Sequence, residues 1–177
     1  MRIVVVLLAV VVGLGLVVVL VGLMLPVKHA AAVSATIPAA PEAVWAALTD
    51  VVAYPRWRGD VTSVEMLPAD SGHVAWREQG KNGAISYVIT EAEPPRRLVT
   101  RISDKSLPFG GAWEYDVTPD GSGSRVRITE HGEVYNPVFR FVSRFIMGHT
   151  ATASAYLKAL GARFGATVVP EPVDGAS

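Results

Sequence analysis

The sequence predicts an α+β fold with about seven antiparallel strands, two short helices after the first strand, one long C-terminal helix and one N-terminal transmembrane helix. Three observations support this prediction. Residues 3–25 contain no charged or hydrogen-bonding side chain. Between residues 61 and 135, apolar and polar residues alternate in six segments that turn-forming residues separate, the pattern of half-buried strands. From residue 137 to about residue 164, apolar residues recur at helical spacing.

Composition excludes several classes of protein. The 177 residues include 16 basic and 16 acidic side chains, so the formal net charge is +0, and there is no cysteine. Nucleic-acid binding depends on Lys and Arg side chains that neutralise phosphates, so we expect no nucleic-acid partner. Without cysteine the chain has no disulfide scaffold, zinc–thiolate site, cysteine nucleophile or lipoprotein anchor. We also expect no cofactor.

Residues 1–28 are predicted to be a membrane anchor. The 23 consecutive apolar residues 3–25 would extend about 35 Å as a helix, enough to cross a hydrocarbon core of ~30 Å. A buried core helix is normally shorter and has a polar face. A cleaved signal peptide is the main alternative, because residues 30–32 and 34–35 are small, but its apolar region usually spans about 7–15 residues. We therefore favour an uncleaved, single-pass anchor in the cell membrane.

The flanking charges do not decide on which side of the membrane the domain lies. Arg2 and the terminal amine precede the apolar run, and Lys28 and His29 follow it, so the positive-inside count is nearly a tie. Pro26 ends the run and no Gly/Ser linker follows. The folded domain is therefore expected close to the bilayer.

The folded domain is predicted over residues 29–166. Val33, Ala35 and Ile37 alternate with small residues and form a first strand. A helix is expected over residues 41–48, where Pro41 opens the first turn and Glu42 lies near the positive end of the helix dipole. Residues 50–57 then form a second short helix or turn.

Six strands are expected after these helices. Gly, Pro, Asp, Asn and Ser residues separate them, and the short connections indicate antiparallel neighbours. The six expected strands lie near residues 61–67, 73–79, 84–92, 96–103, 111–118 and 124–135.

The last helix is predicted to begin at Asn136, an N-cap residue that Pro137 follows, and to run unbroken to about residue 164. Arg140 and Arg144 form an i,i+4 pair that faces solvent or, as a secondary possibility, lipid headgroups. Residues 167–177, rich in Pro and Gly, are expected to be a disordered tail. An apolar stripe of this helix contains Val138, Phe141, Phe145, Thr152, Tyr156 and Leu160.

The order of these elements is that of the helix-grip fold, and several local sequences agree with it. They are AAPEAVWAALTD at residues 39–50, YPRW at 54–57, EPPRRL at 93–98, GAWEY at 111–115 and TEHGEVYNP at 129–137. In these segments the chain resembles the START-like polyketide cyclase/dehydrase and lipid-transport superfamily over residues 33–165.

The resemblance implies a curved sheet that grips the long helix, with a mostly apolar cavity between them. A cavity of this kind usually binds a hydrophobic ligand that a few polar groups orient. The superfamily includes lipid carriers, plant hormone receptors and aromatase/cyclases, so the resemblance specifies the fold more closely than the function.

Glu130 is a carboxylate in an otherwise apolar row of the last strand, formed with Val126, Ile128 and Val134. On the inner face it could hydrogen-bond a ligand hydroxyl or act as an acid/base. Alternatively it pairs with an arginine of a neighbouring strand, or caps backbone amides near the start of the last helix; we favour these alternatives. Gly132 is expected to mark a β-bulge.

Aromatic residues supply the remaining strand candidates. By strand alternation Trp76, Tyr87, Trp113 and Tyr115 face inward, where each either lines a cavity or packs as plain core. Tyr54 and Trp57 lie where the short helices meet the sheet, near the expected cavity mouth. These two residues either gate the cavity or fix the turn at Pro55.

Three residues of the last helix complete the candidate ligand-binding set: Phe141, Phe145 and His149. For His149 a solvated or locally bonded side chain is the favoured alternative. No His, Asp and Glu spacing is typical of a metal site, and no nucleophile elbow, phosphate loop or dinucleotide fingerprint occurs. We therefore assign no catalytic residue and no metal ligand.

The sequence thus favours a membrane-anchored protein that binds or transports a hydrophobic small molecule, either a lipid or a polyketide-like compound. Its expected partners are that molecule and, through residues 3–25, the membrane. Two alternatives stay open. One is an enzyme of the cyclase/dehydratase type in which Glu130 and a tyrosine steer proton transfers. The other is an envelope-associated module that binds a protein through its surface.

Overall fold

A computed structural model describes residues 2–81, 83–148 and 150–173. It contains one long N-terminal helix, an antiparallel sheet and a C-terminal helical region. The elements in chain order are α1 (Arg2–Met24), β1 (Lys28–Ile37), α2 (Pro41–Thr49), a short 3₁₀ helix (Val51–Arg56), β2 (Val61–Asp70), β3 (His73–Gly80), β4 (Gly83–Glu93), β5 (Arg97–Ile102), β6 (Phe109–Asp120), β7 (Gly123–Val134), α3 (Pro137–Val142), a π-helical turn (Ser143–Met147), α4 (Ala151–Arg163) and β8 (Glu171–Pro172).

The sheet has the order β2-β3-β4-β5-β6-β7-β1-β8, and all its neighbours are antiparallel. Strands β2 to β7 form a meander because each hairpin connection joins sequential neighbours. Strand β1 returns beside β7, so its ten residues Lys28–Ile37 pair with Glu133–Ser124. The predicted α+β class and the helix-grip arrangement are confirmed.

The core lies between the concave face of the sheet and the helices α2 and α4. Alternation in β1 and β7 places Val33, Ile37, Val126 and Ile128 inward, and all four are fully buried. Their partners on α4 are Ala153, Tyr156, Leu157 and Leu160, at helical spacing.

The C-terminal helical region is not one unbroken helix, as the sequence predicted. It divides into α3, the π-helical turn and α4, and the interruption falls at Gly148, whose φ of 73° and ψ of 158° end the turn. This backbone conformation is open essentially to glycine alone. The apolar stripe therefore packs on the sheet only within α4, and Thr152, which the sequence placed on that stripe, is exposed.

Helix α3 packs against the end of α1 instead of the sheet. A Cβ atom at Gly22 would collide with the carbonyl oxygen of Pro137, so the two backbones are in close contact. The Arg140 guanidinium donates a hydrogen bond of 2.8 Å to the carbonyl oxygen of Leu25. Arg140 thus caps an unpaired carbonyl at the C-terminal end of α1 and does not face solvent.

The chain after α4 is also more ordered than expected, through residue 173. Glu171 and Pro172 pair with β1, and the N–H of Val173 donates to the carbonyl oxygen of Ala32. Val168 packs against the core. The predicted disorder of residues 167–173 is therefore wrong, because this segment covers the exposed edge of β1; residues 174–177 lie outside the described part of the chain.

Candidate functional site

The concave face of the sheet divides into a closed half and an open half. The closed half lies under α2 and α4. The open half lies toward the end of the sheet where β1 leaves α1. The strand register gives the location of the open half. Ala31 near the start of β1 pairs with Glu130 of β7, and Glu130 pairs with Trp113 of β6.

An aromatic cluster fills the closed half. The ring of Tyr156 on α4 is 5.4 Å from Trp57, 5.5 Å from Tyr115 and 6.0 Å from Trp113, centroid to centroid. Tyr54 packs edge-on against Trp57 at 5.4 Å. These separations are those of favourable aromatic pairs, so the cluster ties α4 and the short 3₁₀ helix to the sheet.

A buried ion pair lies beside this cluster. The Arg58 and Glu78 side chains are 11% and 9% exposed, and Arg58 Nη1 lies 3.1 Å from Glu78 Oε2. Trp76 Nε1 donates to Glu78 Oε1 at 3.0 Å. The guanidinium also stacks over the rings of Tyr54 and Tyr156, at 4.9 and 5.0 Å. Because both charges have several partners, a buried charge is tolerated here.

The pKa values of Arg58 and of the neighbouring tyrosines agree with that arrangement. Burial opposes the charge on Arg58, but the hydrogen bond with Asp60 and the attraction of Glu78 outweigh it and raise the Arg58 pKa. Burial, followed by repulsion between neighbouring phenolates, raises the pKa of Tyr54, Tyr115 and Tyr156. These three hydroxyls therefore stay protonated, and Tyr54 donates to the carbonyl oxygen of Leu48 at 2.6 Å.

In the open half, apolar side chains of three adjacent strands remain only partly buried. We call this set the open strip; it comprises Tyr87 and Ile89 of β4, Ile102 of β5 and Trp113 of β6. Register places Tyr87 opposite Ile102, and Ile89 is separated from Trp113 by the buried Thr100. Tyr87 also stacks on Trp76 at 5.5 Å. The strip is thus a set of partly buried apolar side chains on the concave face of three adjacent strands.

Glu130 lies at the border of the open strip. Its side chain is 21% exposed, and Oε1 lies 3.8 Å from Nε2 of His29. Burial is the largest cause of the raised pKa of Tyr87. The negative charge of Glu78 and, to a smaller extent, that of Glu130 also raise it. Glu130 therefore faces inward as predicted, but its neighbour is a histidine of β1 and not an arginine.

Gly132 does not mark a bulge. Pairing of β7 with β6 and with β1 continues through it without a register shift, whereas shifts occur in the β2–β3 and β4–β5 pairs. A Cβ atom at Gly132 would collide with the ring of His29. The glycine therefore lets the imidazole lie across β7 beside Glu130.

The structure brings most of the predicted site residues to the concave face. Tyr54, Trp76 and Tyr115 are buried in its closed half, where they act as packing. Trp57 is partly buried between the two halves, and its Nε1 is buried without a hydrogen-bond partner among the described residues. Tyr87, Trp113 and Glu130 border or form the open strip.

The helix candidates are not part of this arrangement. The rings of Phe141 and Phe145 stack on each other at 4.9 Å in the segment beside α1, and Phe145 is 59% exposed. The break at Gly148 separates this segment from α4, so the stripe that the sequence predicted does not continue through it. His149 lies outside the described residues.

Sequence reasoning missed four residues of the site: His29, Arg58, Glu78 and Tyr156. Glu78 carried a usable signal, because alternation places it on the same face as Trp76. Arg58 follows the aromatic Trp57 in a loop, and nothing local indicates that it turns inward. Within residues 2–81, 83–148 and 150–173, no three His, Cys, Asp or Glu side chains converge as a metal site would require.

Comparisons with known proteins agree with this geometry. A family model described as polyketide cyclase/dehydrase and lipid transport matches residues 28–165. No curated protein sequence matches the chain.

Several solved structures share the fold. The Zhui aromatase/cyclase from Streptomyces sp. R1128 aligns with a TM-score of 0.62 at 14% identity, over 78% of this chain and 94% of that one. Norcoclaurine synthase from Thalictrum flavum gives 0.60 at 12% identity, over 77% and 86%. A START superfamily protein from Mycobacterium smegmatis gives 0.56 at 15% identity, over 78% and 97%.

Proposed function

The chain belongs to the polyketide cyclase/dehydrase and lipid transport family, and from that premise we propose that it binds a hydrophobic small molecule along the open strip while α1 anchors it in a membrane. The observation that carries this proposal is the open strip itself. Tyr87, Ile89, Ile102 and Trp113 are apolar side chains on one face of adjacent strands that remain only partly buried, although Trp113 also contacts Tyr156 of α4. A bound apolar molecule would remove that surface from water, at about 25 cal/mol per Å².

Polar groups near the strip support a ligand that also carries a polar group. Glu130 and His29 lie at one side, within 3.8 Å of each other. In the neighbouring aromatic cluster, the buried N–H of Trp57 has no partner among the described residues. An unpaired buried donor costs about 1–3 kcal/mol, so a ligand oxygen at this position would gain that free energy.

The length and composition of α1 support the anchor. Its 23 residues contain no acidic side chain and one basic side chain, at the first position, and its most apolar stretch is not buried by the rest of the protein. As a helix it reaches about 35 Å, against a hydrocarbon core of ~30 Å.

Photolabelling tests the binding proposal. The full chain in lipid nanodiscs is irradiated with a diazirine fatty acid or a diazirine sterol, and the labelled peptides are identified by mass spectrometry. We expect labels on β4 and β6 at the open strip, which excess unlabelled compound removes. Labels confined to α1 would contradict the proposal and favour an interaction module that uses the outer surface.

A cyclase/dehydratase-type enzyme is the second candidate, and the pairing of Glu130 with His29 is the observation that favours it. A carboxylate and an imidazole beside an apolar strip could move protons on a bound polyketide-like substrate. The Glu130→Gln variant separates the two functions. An enzyme should lose about 10²–10⁴-fold in turnover, whereas a carrier should lose only about 1–3 kcal/mol of binding free energy.

The readouts for this variant are product formation from a poly-β-ketone thioester and retention of the photolabel. Glu133→Gln, on the outer face of the same strand, is the matched control, and we expect it to behave as wild type. Equal behaviour of Glu130→Gln and Glu133→Gln in both assays would remove Glu130 from the site.

A further inference from the structure

The segment 137–147, which we call the shoulder, lies beside the last two turns of α1. Gly22 is buried there because Pro137 contacts its backbone. Residues 18, 19 and 21 of α1 are also partly covered, whereas residues 2–17 are exposed. The hydrogen bond from Arg140 to the Leu25 carbonyl oxygen fixes the lower end of this contact.

The contact sets the depth of the shoulder. If α1 is the anchor, its length of about 35 Å exceeds a hydrocarbon core of ~30 Å by only about 5 Å. Residues 18–25 occupy about 10 Å of the helix. A segment packed beside residues 18–22 therefore lies at the boundary of the hydrocarbon core and not in the water beyond the headgroups.

The outer surface of the shoulder suits that position. Phe139 and Phe145 are 52% and 59% exposed, and Val138 and Tyr135 beside them are also exposed. Grouped apolar side chains of this kind are unusual on a surface that faces water. The exposed Arg144 adds a positive charge at the level where anionic headgroups lie.

The open strip points to the same end of the molecule. His29 of β1 comes four residues after Leu25, and its partner Glu130 lies in the neighbouring strand β7. Register extends this end through Gly111 of β6 to Ile102 at the end of β5. The opposite end of the sheet, at the hairpin of residues 120–123, is away from α1.

We propose that the shoulder is embedded at the boundary between lipid headgroups and acyl chains, so that the open strip receives its ligand directly from the bilayer. This inference rests on the proposed anchoring by α1 and names the source of the ligand. The occupant of the apolar shoulder surface is lipid, because Pro137 and Arg140 hold the shoulder directly against α1, whose own exposed side chains would face lipid.

Single-cysteine variants test the depth, since the chain has no native cysteine. Phe139→Cys and Phe145→Cys report on the shoulder, Leu16→Cys on the middle of α1, and Thr118→Cys, at an exposed position beside the hairpin of residues 120–123, on the far end of the sheet. Each full-length variant carries a nitroxide label in vesicles of phosphatidylcholine and phosphatidylglycerol. Collision with oxygen, which concentrates in lipid, is compared with collision with a water-soluble nickel chelate.

We expect the oxygen-to-nickel collision ratio at both shoulder positions to exceed that at Thr118→Cys several-fold and to approach that at Leu16→Cys. Nickel access at the shoulder equal to that at position 118, with Leu16→Cys in lipid, would overturn the inference but leave the anchor in place. Nickel access at Leu16→Cys would instead overturn the anchor. Exclusion of both quenchers from the shoulder would mean that protein, such as a second copy, covers it, and would also overturn the inference.

A second pair of variants tests delivery of the ligand. Phe139→Asp places a charge on the shoulder, and Thr118→Asp places one on an exposed position at the far end, beside the hairpin of residues 120–123. With a diazirine fatty acid already resident in the bilayer, labelling of the open strip should fall several-fold in Phe139→Asp only. Equal labelling in the two variants would contradict delivery through the shoulder.

Discussion

At the scale of single residues, the charges on the concave face are held by partners from different parts of the chain. Arg58 lies in the loop before β2, and its buried partner Glu78 lies in β3, so the ion pair joins the helical layer to the sheet. Asp60 and the rings of Tyr54 and Tyr156 complete the surroundings of the guanidinium. Removing one partner of such a pair leaves an uncompensated buried charge.

The Glu78→Gln substitution is therefore expected to lower the free energy of unfolding by about 3 kcal/mol. Asp60 still faces Arg58 in this variant, which keeps the loss at the lower end of the range for buried pairs. Urea unfolding of the full chain in detergent micelles, followed by tryptophan fluorescence, measures the loss. Glu65→Gln is the control, because its ion pair with Arg77 is exposed and should contribute less than about 1 kcal/mol. Similar losses in both variants would show that the buried pair has no special role.

At the scale of elements, the interruption at Gly148 lets one helical region serve two surfaces. Residues 151–163 pack into the core, while Pro137 and Arg140 of α3 contact α1. A continuous helix could not turn from the sheet to α1 within these few residues. The interruption is therefore what separates the shoulder from α4.

We expect Gly148→Ala to destabilise this arrangement by about 1–3 kcal/mol, because an alanine is strained at a φ of 73° and ψ of 158°. A Cβ atom there would meet no neighbouring atom within 4 Å, so any effect reports backbone strain alone. Gly59→Ala, which also has free space and no positive φ, should be neutral. Thermal unfolding and amide hydrogen exchange of residues 143–150 measure both, and a neutral Gly148→Ala would mean that the region can become one helix.

The start of β1 bears on whether α1 stays attached. The small residues at 30–32 and 34–35 that would suit a signal peptidase lie inside this strand, which pairs with β7 from Lys28 onward. Cleavage at either site would remove His29 and at least half of the strand's pairing. The intact mass of the protein from membranes is therefore expected to retain residues 1–28, and a mass that begins near residue 33 or 36 would contradict the anchor.

At the scale of the whole molecule, all five tyrosines of the chain have raised pKa values. Burial is the largest cause for Tyr54, Tyr87, Tyr115 and Tyr156, and a hydrogen bond to Glu133 is the largest for Tyr135. Folding thus favours the neutral hydroxyls. The stabilisation that comes from these raised pKa values is complete below the tyrosine pKa of the unfolded chain, about 10, and is lost as pH rises above it.

Ultraviolet titration of the phenolate checks this. In urea the five tyrosines should ionise near pH 10, whereas in the folded chain Tyr54, Tyr87, Tyr115 and Tyr156 should ionise only as the protein unfolds at alkaline pH. Circular dichroism on the same samples reports the unfolding. Reversible ionisation of several tyrosines near pH 10 with the fold intact would contradict the buried aromatic cluster.

Local patterns explain what could be predicted from the sequence. The strands follow from period-two alternation and turn residues, and both are properties of short segments. Glu130 was placed on the inner face for the same reason. The contact between Gly22 and Pro137 and the pairing of Arg58 with Glu78 join distant residues, and no local pattern specifies them. The interruption at Gly148 was missed because apolar residues continue at helical spacing on both sides of it.

The direct junction between α1 and β1 has a mechanical consequence. Only Leu25, Pro26 and Val27 separate the two elements. The N–H of Val134 donates a hydrogen bond to the carbonyl oxygen of Val27, and the Arg140 guanidinium donates one to the carbonyl oxygen of Leu25. The helix and the sheet are therefore expected to rotate as one body. A helix longer than the local hydrocarbon thickness tilts, so a thinner bilayer would change the angle between the whole sheet and the membrane. The rate at which the open strip exchanges ligand should then depend on acyl-chain length.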